Sequence, residues 1–375
     1  MTGKKRMLMA LNHREGDRVP TGENQMHGEL ASEIIGYKTL YATGFEELKA
    51  LWEGRREDVV NDYVNTLVDM ARKLEWDYVR VHMAPPKRKY TLPKMTGPYS
   101  WIDEETGKEL SFNPMAGNIM HSEYNRELTV DDLPDPDDDS YAEDDSAFDV
   151  LRRVVAELKD THFIIFRASD GTFPWGAVGM EEFLIRMITD GDFVRKAVRG
   201  AVNRSIKVYN TALDLGADAI MTCDDYSDNR GPIMGPEAFR KFISPEVKRQ
   251  AEAIHRQGGF FIKHTDGNVM EIMGDLIDAG IDGWHGIQLN IGMDFGDLKK
   301  KFGSRLCFFG GTNCDTYISG SPNDVRGEVG DSLKKAAAGG GLVFTCSNVV
   351  PPGSSLENYL AGRNYLREHG NYPVK

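Results

Sequence analysis

The feature that most restricts this chain is a rhythm. Short apolar runs, about five residues each, alternate with longer amphipathic segments. In the C-terminal half the runs are Ala219–Asp224, Gly259–His264, Gly283–Leu289, Arg305–Gly310 and Leu342–Cys346. Their mostly apolar character is that of strands buried on both faces. The segment from Gly235 to Gly259 opens with Pro236 in its first turn and closes on Gly258 and Gly259, which is helix punctuation. From Val269 to Ala279, Met270, Met273 and Ile277 fall on one helical face, and Gly280 stops the helix. The N-terminal half adds Tyr78–His82, Phe163–Ala168 and a weaker run, Val19–Glu23. Strands and helices in strict alternation imply parallel pairing through right-handed crossovers, and eight such strands close a (β/α)8 TIM barrel. The competing open doubly wound sheet lacks its G-x-G-x-x-G turn after the first strand.

A chain of 375 residues with 40% hydrophobic content can bury a large core, and residues 1–375 read as one barrel domain. The stretch from about 85 to 146 breaks the rhythm with turn residues, aromatics and the acid run PDPDDDSYAEDDS. It reads as an irregular, loop-rich insertion with a solvated surface; the alternative is a lid or docking surface beside the barrel mouth. The net charge of −13 argues against a nucleic-acid partner. No apolar run approaches the ~20 residues of a membrane span, and the N-terminus lacks the apolar core of a signal peptide. Cys223, Cys307, Cys314 and Cys346 are scattered, without a C-x-x-C pair, as in a reducing cytoplasmic compartment.

Barrel chemistry sits just after the strands. Those positions hold Glu23 and Asn24, His82, Arg167 with Ser169 and Asp170, and Asp224, Asp225 and Tyr226. They continue with His264, Asp266 and Asn268, Gln288 and Asn290, Asn313 and Asp315, then Cys346, Ser347 and Asn348. So many polar groups at buried strand ends are costly unless they pair or bind a ligand. The pattern His264-Thr265-Asp266-Gly267 stands out, because residues two apart on an extended chain face the same side. Imidazole and carboxylate could ligate zinc together or act as an acid–base pair; alternatively Asp266 caps the next helix and His264 fills a polar pocket. Of the adjacent Asp224 and Asp225, one can face the mouth. Cys346 is either a soft ligand or a core thiol. Phe173, Trp175, Tyr226 and Trp284 could wall a flat aromatic pocket, or be core.

At these residues the chain resembles the uroporphyrinogen decarboxylase superfamily over nearly its whole length. The segments that carry the likeness are RMLMALNHREGDRVP, FRASDGTFPWGAVGMEEFLIRM, DDYSDNRGPIMGPEAFRKFISPEVKR, IKHTDGNV and GGGLVFTCSNVVPPGSSLENYLAG. The resemblance implies a (β/α)8 barrel. Decarboxylases of that superfamily carry an arginine-bearing R-Q-A-G-R-Y segment after the first strand. Here the place reads Glu23 to Gly28 without arginine, and a polyanionic porphyrinogen would meet Glu23.

The corrinoid-linked methyltransferases are the better likeness. Their zinc motif is H-x-C with a later cysteine before a P-P-x-x-x-x-E-N segment. Here His264 matches, Asp266 replaces the first cysteine, and the later position falls on or beside Asn348, with Cys346 two residues earlier. Such an oxygen-rich donor set is harder than a thiolate set and suits polarising an ether or phenolate oxygen. The resemblance therefore implies an O-demethylating methyltransferase with zinc, a corrinoid protein as partner, a small methylated substrate, no nucleic acid or membrane, and a homodimer. Expected catalytic residues are His264, Asp266, Asp224 and Asp225; expected metal ligands are His264, Asp266 and Cys346. Glu23, His82, Arg167, Trp175, Tyr226 and Asn348 are expected to bind substrate. The alternatives are a decarboxylase of a small or tetrapyrrole carboxylate, and a non-catalytic barrel that binds corrinoid or tetrapyrrole.

Overall fold

The computed structural model describes residues 1–374 apart from 104–105, 115–117, 122–123, 126 and 139, with backbone only at 118 and 121. Among the described residues the strands are β1 (Tyr78–His82), β2 (Lys94–Met95), β3 (Ser100–Ile102), β4 (Glu109–Asn113), β5 (Asn118–His121), β6 (Phe163–Ala168), β7 (Ala219–Cys223), β8 (Phe260–His264), β9 (Gly283–His285), β10 (Cys307–Thr312) and β11 (Leu342–Cys346). Seven of them form one parallel sheet in the order β1-β6-β7-β8-β9-β10-β11, with helices between successive strands except across the insertion, where β2–β5 precede the helix leading to β6. Consecutive neighbours in one direction make the sheet curl, since each crossover covers the same face.

Alternate residues divide the apolar side chains into two cores. Tyr78, Phe163, Ile165, Ala219, Met221, Ile262, Cys307, Phe309 and Val343 point inside the curl, where they meet Met7, Ala10 and Leu11. Those three belong to the helix Gly3–Leu11, which packs against β1, β6 and β11 and so ties the first strand of the sheet to the last. The intervening strand residues, among them Ile164, Phe166, Ile220, Phe261, Phe308 and Phe344, face the helical layer.

The eighth expected strand, Val19–Glu23, does not lay down a ladder, and the barrel is not closed by hydrogen-bonded strands. The segment lies between the sheet edges: the Phe344 amide donates to the Pro20 carbonyl at 2.8 Å, and the Asp77 amide to the Thr21 carbonyl at 2.6 Å. Pro20 has no N–H to give, and the Thr21 amide donates to the Asp77 carboxylate at 2.9 Å instead of to a strand. Asp77, 1% exposed, also takes Arg6 and Arg18, so this edge is closed by side chains.

Other boundaries moved for local reasons. The expected helix from Gly235 is broken into Gly235–Ala238, a wide turn at Phe239–Ile243, and Ser244–Arg256. Pro245 cannot donate to the carbonyl four residues back, so the chain widens before it. The sixth strand stops at His285, because Gly286 turns at φ 103° where a Cβ would lie 2.5 Å from the Thr265 carbonyl oxygen. The loop-rich insertion contains the small antiparallel sheet β2-β3-β4-β5. Its Trp101 and Phe112 pack on Phe45 and Trp52. Asp139 of that run lies outside the described residues. Among the described residues no helix is long and apolar enough to cross a membrane.

Two buried polar clusters lock the sheet. Lys263 is 0% exposed on the outer face of β8 and pairs with Asp170, which is 1% exposed and also accepts from Thr172 (2.6 Å) and Thr222 (2.8 Å). Burial alone would raise the Asp170 pKa; the lysine and the hydroxyls overcome it and hold the carboxylate ionised. Glu23 is 2% exposed and clasps the last strand, accepting from the Cys346 amide (3.0 Å), the Thr345 hydroxyl (2.9 Å) and the Tyr359 hydroxyl (3.2 Å). Burial dominates these bonds and pushes its pKa up to about 7.

Asp170→Asn should strand a buried ammonium and lower stability by about 3–5 kcal/mol. Adding Lys263→Met should recover most of that loss in urea titrations; a double variant as unstable as the single one would contradict a charge-pairing role. For Glu23, the folded state keeps its proton up to about pH 7, whereas the unfolded carboxyl releases it near 4.5. Stability therefore falls as pH rises through this window. The wild type should lose roughly 3 kcal/mol more across it than Glu23→Gln; parallel pH profiles would refute the assignment.

Candidate active site

Position 264 ends β8, and its period-two place turns the imidazole into the mouth of the curl while Lys263 points outward. Its register partner on β9 is His285. The two Nδ1 atoms lie 2.6 Å apart, and His285 Nε2 is 3.2 Å from the Cys346 carbonyl oxygen. A carbonyl only accepts, so His285 Nε2 carries the proton. Burial keeps both rings neutral, holding His264 down at about 3. His285 Nδ1 must then accept, and His264 Nδ1–H must donate to it. This relay leaves the lone pair of His264 on Nε2.

That lone pair meets carboxylates. His264 Nε2 is 3.8 Å from Asp266 Oδ1 and 4.0 Å from Asp225 Oδ1. The ligand atoms of Asp225, His264 and Asp266 all lie within 4.8 Å of one another. Asp266 is fixed by its own amide, which donates to Asp225 at 2.9 Å, and by Asn348, whose side-chain amide donates to Asp266 Oδ2 at 2.5 Å. Asp266 Oδ1 is buried and has no hydrogen-bond donor. Burial first, and the Asp225 charge second, push Asp266 up to about 7. A lone pair and two carboxylate oxygens turned on one point repel each other unless a cation or proton sits between them. The residues therefore fit a divalent metal ion.

The remaining expected residues divide. Cys346 is not in the cluster. On β11 the inward residues are Val343 and Thr345, so Cys346 faces the outer core, 0% exposed, with its sulfur 3.4 Å from that of Cys314. Its carbonyl, not its thiol, serves the site. Asp224 turns from Asp225 to accept from the Phe173 amide at 3.0 Å, and burial pushes it up to about 7. Tyr226 is not on the rim: it is 0% exposed, its hydroxyl is 2.6 Å from that of Thr172, and Lys263 Nζ covers its ring at 4.3 Å. Trp175 stands in a tight turn with its ring 6.3 Å from Tyr124, and no described hydrogen bond or ring contact joins it to His264.

His82 and Arg167 are register partners on β1 and β6, and Arg167 Nε donates to Cys223 Sγ at 3.4 Å. Cys223 is in turn the register partner of His264. Arg80, two residues before His82 on the same face, was missed by reading only strand ends. It is 4% exposed and donates to Asn24 (2.9 Å) and Gln25 (3.2 Å). Burial and both arginine charges hold His82 neutral, down at about 3. The expectation that an anion would meet Glu23 is corrected here: Glu23 is occupied by β11, and its neighbours Asn24 and Gln25 present a buried arginine. His285 was also missed; its place two residues after Gly283 in an apolar run was the available signal.

Residues 100–369 match the family described as uroporphyrinogen decarboxylase (URO-D). No curated protein sequence matches the chain. Among solved structures, a methyltransferase from Methanosarcina mazei is 20% identical, covers 98% of this chain and 99% of its own, and superposes with a TM-score of 0.66. That likeness shows a shared fold. A β-mannanase from the blue mussel Mytilus edulis (13% identity, 95% and 93% coverage, TM-score 0.46) and a sugar phosphate isomerase/epimerase from Parabacteroides distasonis (12%, 95% and 99%, TM-score 0.43) are too loosely similar to argue from. With the family's match spanning the sheet from β3 onward and the fold shared over its full length, the chain belongs to the uroporphyrinogen decarboxylase family.

Proposed function

We propose that this chain is a corrinoid-dependent methyltransferase that takes the methyl group from an O-methyl donor, an aromatic methyl ether, and passes it to the Co(I) corrinoid of a partner protein. One observation carries the reading: the convergence of Asp225, His264 and Asp266 at the end of β8. Family membership and the fold shared with a protein described as a methyltransferase support it. The whole chain is taken as one catalytic domain flanked by the insertion.

An ether is a poor methyl donor because its leaving oxygen is basic. Zinc or a similar divalent ion, held by His264 Nε2 and carboxylate oxygens of Asp225 and Asp266, would supply Lewis acidity to that oxygen. The chain's own part is preorganisation. His285 and the Cys346 carbonyl keep the His264 lone pair outward, and Asn348 holds Asp266 in place. A set with one nitrogen and two oxygen donors favours a hard oxygen over a thiol as the group activated. The methyl carbon must stay open to the corrinoid in line with the breaking bond.

Purified protein should hold about one equivalent of zinc, lost in His264→Ala. Incubated with a reduced corrinoid protein and methoxylated phenols, it should form methylcorrinoid absorbance, with the rate in His264→Ala down by roughly 10²-fold or more. No methylcorrinoid from any methoxylated phenol would overturn the proposal.

A further inference from the structure

We infer that the methyl donor carries a carboxylate, which Arg80 and Arg167 bind in the mouth of the curled sheet. This deepens the methyltransferase reading and rests on it for the identity of the methyl donor.

The observation is a pair of neighbouring cations bonded to no described carboxylate. Arg80 is 4% exposed, and its described partners are all neutral: the side-chain oxygens of Asn24 and Gln25 and, at 3.4 Å, the His82 ring. Arg167 spends its Nε on the Cys223 sulfur, and among the described residues its two terminal nitrogens have no partner. Neither guanidinium forms an ion pair with a described carboxylate. For Arg80 such burial is costly, because a charge taken from water needs an opposite charge to offset the loss. Elsewhere this chain supplies one: Arg6 and Arg18 share Asp77, and Arg56 has Asp149. Arg80 has no such described partner, and Arg167 beside it stands exposed at the mouth with its terminal nitrogens open.

Their position makes the exception useful. Arg167 points inward from β6, its sulfur partner is the register neighbour of His264, and Arg80 comes from the adjacent β1. The arginines and the Asp225–His264–Asp266 cluster thus lie toward the same end of four consecutive strands, β1, β6, β7 and β8. Asp224 and Asp225 act on Arg167 only through space: Asp224 accepts from the Phe173 amide, and Asp225 belongs to the cluster that fits a cation. With them engaged, the arginines face the substrate space with no anion of their own. A planar fork of N–H donors matches a carboxylate edge-on, and two forks fix its plane. A donor with a methoxy group at one end and a carboxylate at the other would be anchored by the arginines and presented to the cluster, so that the anchoring group takes no part in the bond that breaks.

The test is equilibrium binding to the full-length, metal-loaded protein, without corrinoid. The probes are 4-methoxybenzoate and its neutral counterpart 4-methoxybenzamide, followed by tryptophan fluorescence and calorimetry. The acid should bind tighter by on the order of 10–100-fold. Arg167→Ala should abolish that preference, and Arg167→Lys should restore part of it. Arg80 is buried and holds Asn24 and Gln25 in place, so Arg167 is the deciding position. Equal affinity for acid and amide in the wild type, or an undiminished preference in Arg167→Ala, overturns the inference. Tighter binding of 4-methoxyphenyl phosphate than of the benzoate also overturns it, in favour of a phosphate. Methyl transfer is measured in parallel. An acid preference that depends on Arg167, with no transfer from any donor, leaves the carboxylate site standing and removes the methyltransferase reading. Carbon dioxide released from the bound acid would reassign the reaction as decarboxylation at the same site.

Discussion

The hydrogen bond between the two Nδ1 atoms of His264 and His285 sets the chemistry of this fold. Only one of two neutral imidazoles can donate across it, and the Cys346 carbonyl decides which, because it claims the proton on the far side of His285. Three strand ends, on the neighbours β8 and β9 and on β11 beyond β10, are thereby coupled by a single choice of tautomer. The consequence is a lone pair on His264 Nε2 that faces Asp225 and Asp266 at 4.0 and 3.8 Å. A tautomer the other way round would put an N–H there, and the cluster could satisfy itself without a cation. The relay thus keeps the cluster from closing on its own charges.

Strand alternation keeps the two functions of β8 apart. Lys263 and His264 are neighbours in sequence, but one faces the helical layer and the other the mouth. Lys263 is neutralised behind the sheet by Asp170, and its ammonium also lies over the Tyr226 ring. Its charge is therefore spent on packing the outer layer. The same alternation explains why Cys346 holds its thiol among apolar residues while its carbonyl reaches His285. Which atom of a residue serves the mouth depends on register as much as on residue type.

Much of this was legible in the sequence, within limits that have physical causes. Seven strands show as apolar runs because both faces of a parallel sheet are buried, and the i, i+2 spacing puts His264 and Asp266 on one side of the chain. The eighth run was misread because a proline and a set of side-chain bonds from Asp77 and Arg363 replace the ladder that an extended segment suggests. The run that holds His285 was visible, but its pairing with His264 was hidden, because inter-strand register chooses it and no local pattern encodes that. Glu23 reads as a charge beside a ligand, yet it is a clasp on β11; Tyr226 reads as a rim aromatic, yet it lies under Lys263. In each case the residue was correctly placed near a strand end, and the direction of its side chain was what the sequence withheld. The small sheet of the insertion was hidden because its strands are short and mostly polar, with only Trp101 and Phe112 buried.

Charge accounting joins the cluster to the arginine wall. A thiolate donor set would neutralise a divalent ion and remain indifferent to its surroundings, since sulfur is polarisable and weakly hydrated. Aspartates are harder and less basic than thiolates, and here it is burial first and the Asp225 charge second that push Asp266 up to about 7. Across the mouth, Arg167 feels the charges of Asp224 and Asp225 without bonding to either. The proposed cation and the proposed carboxylate would therefore be met by separate groups of one mouth, the aspartates taking the first and the guanidiniums the second.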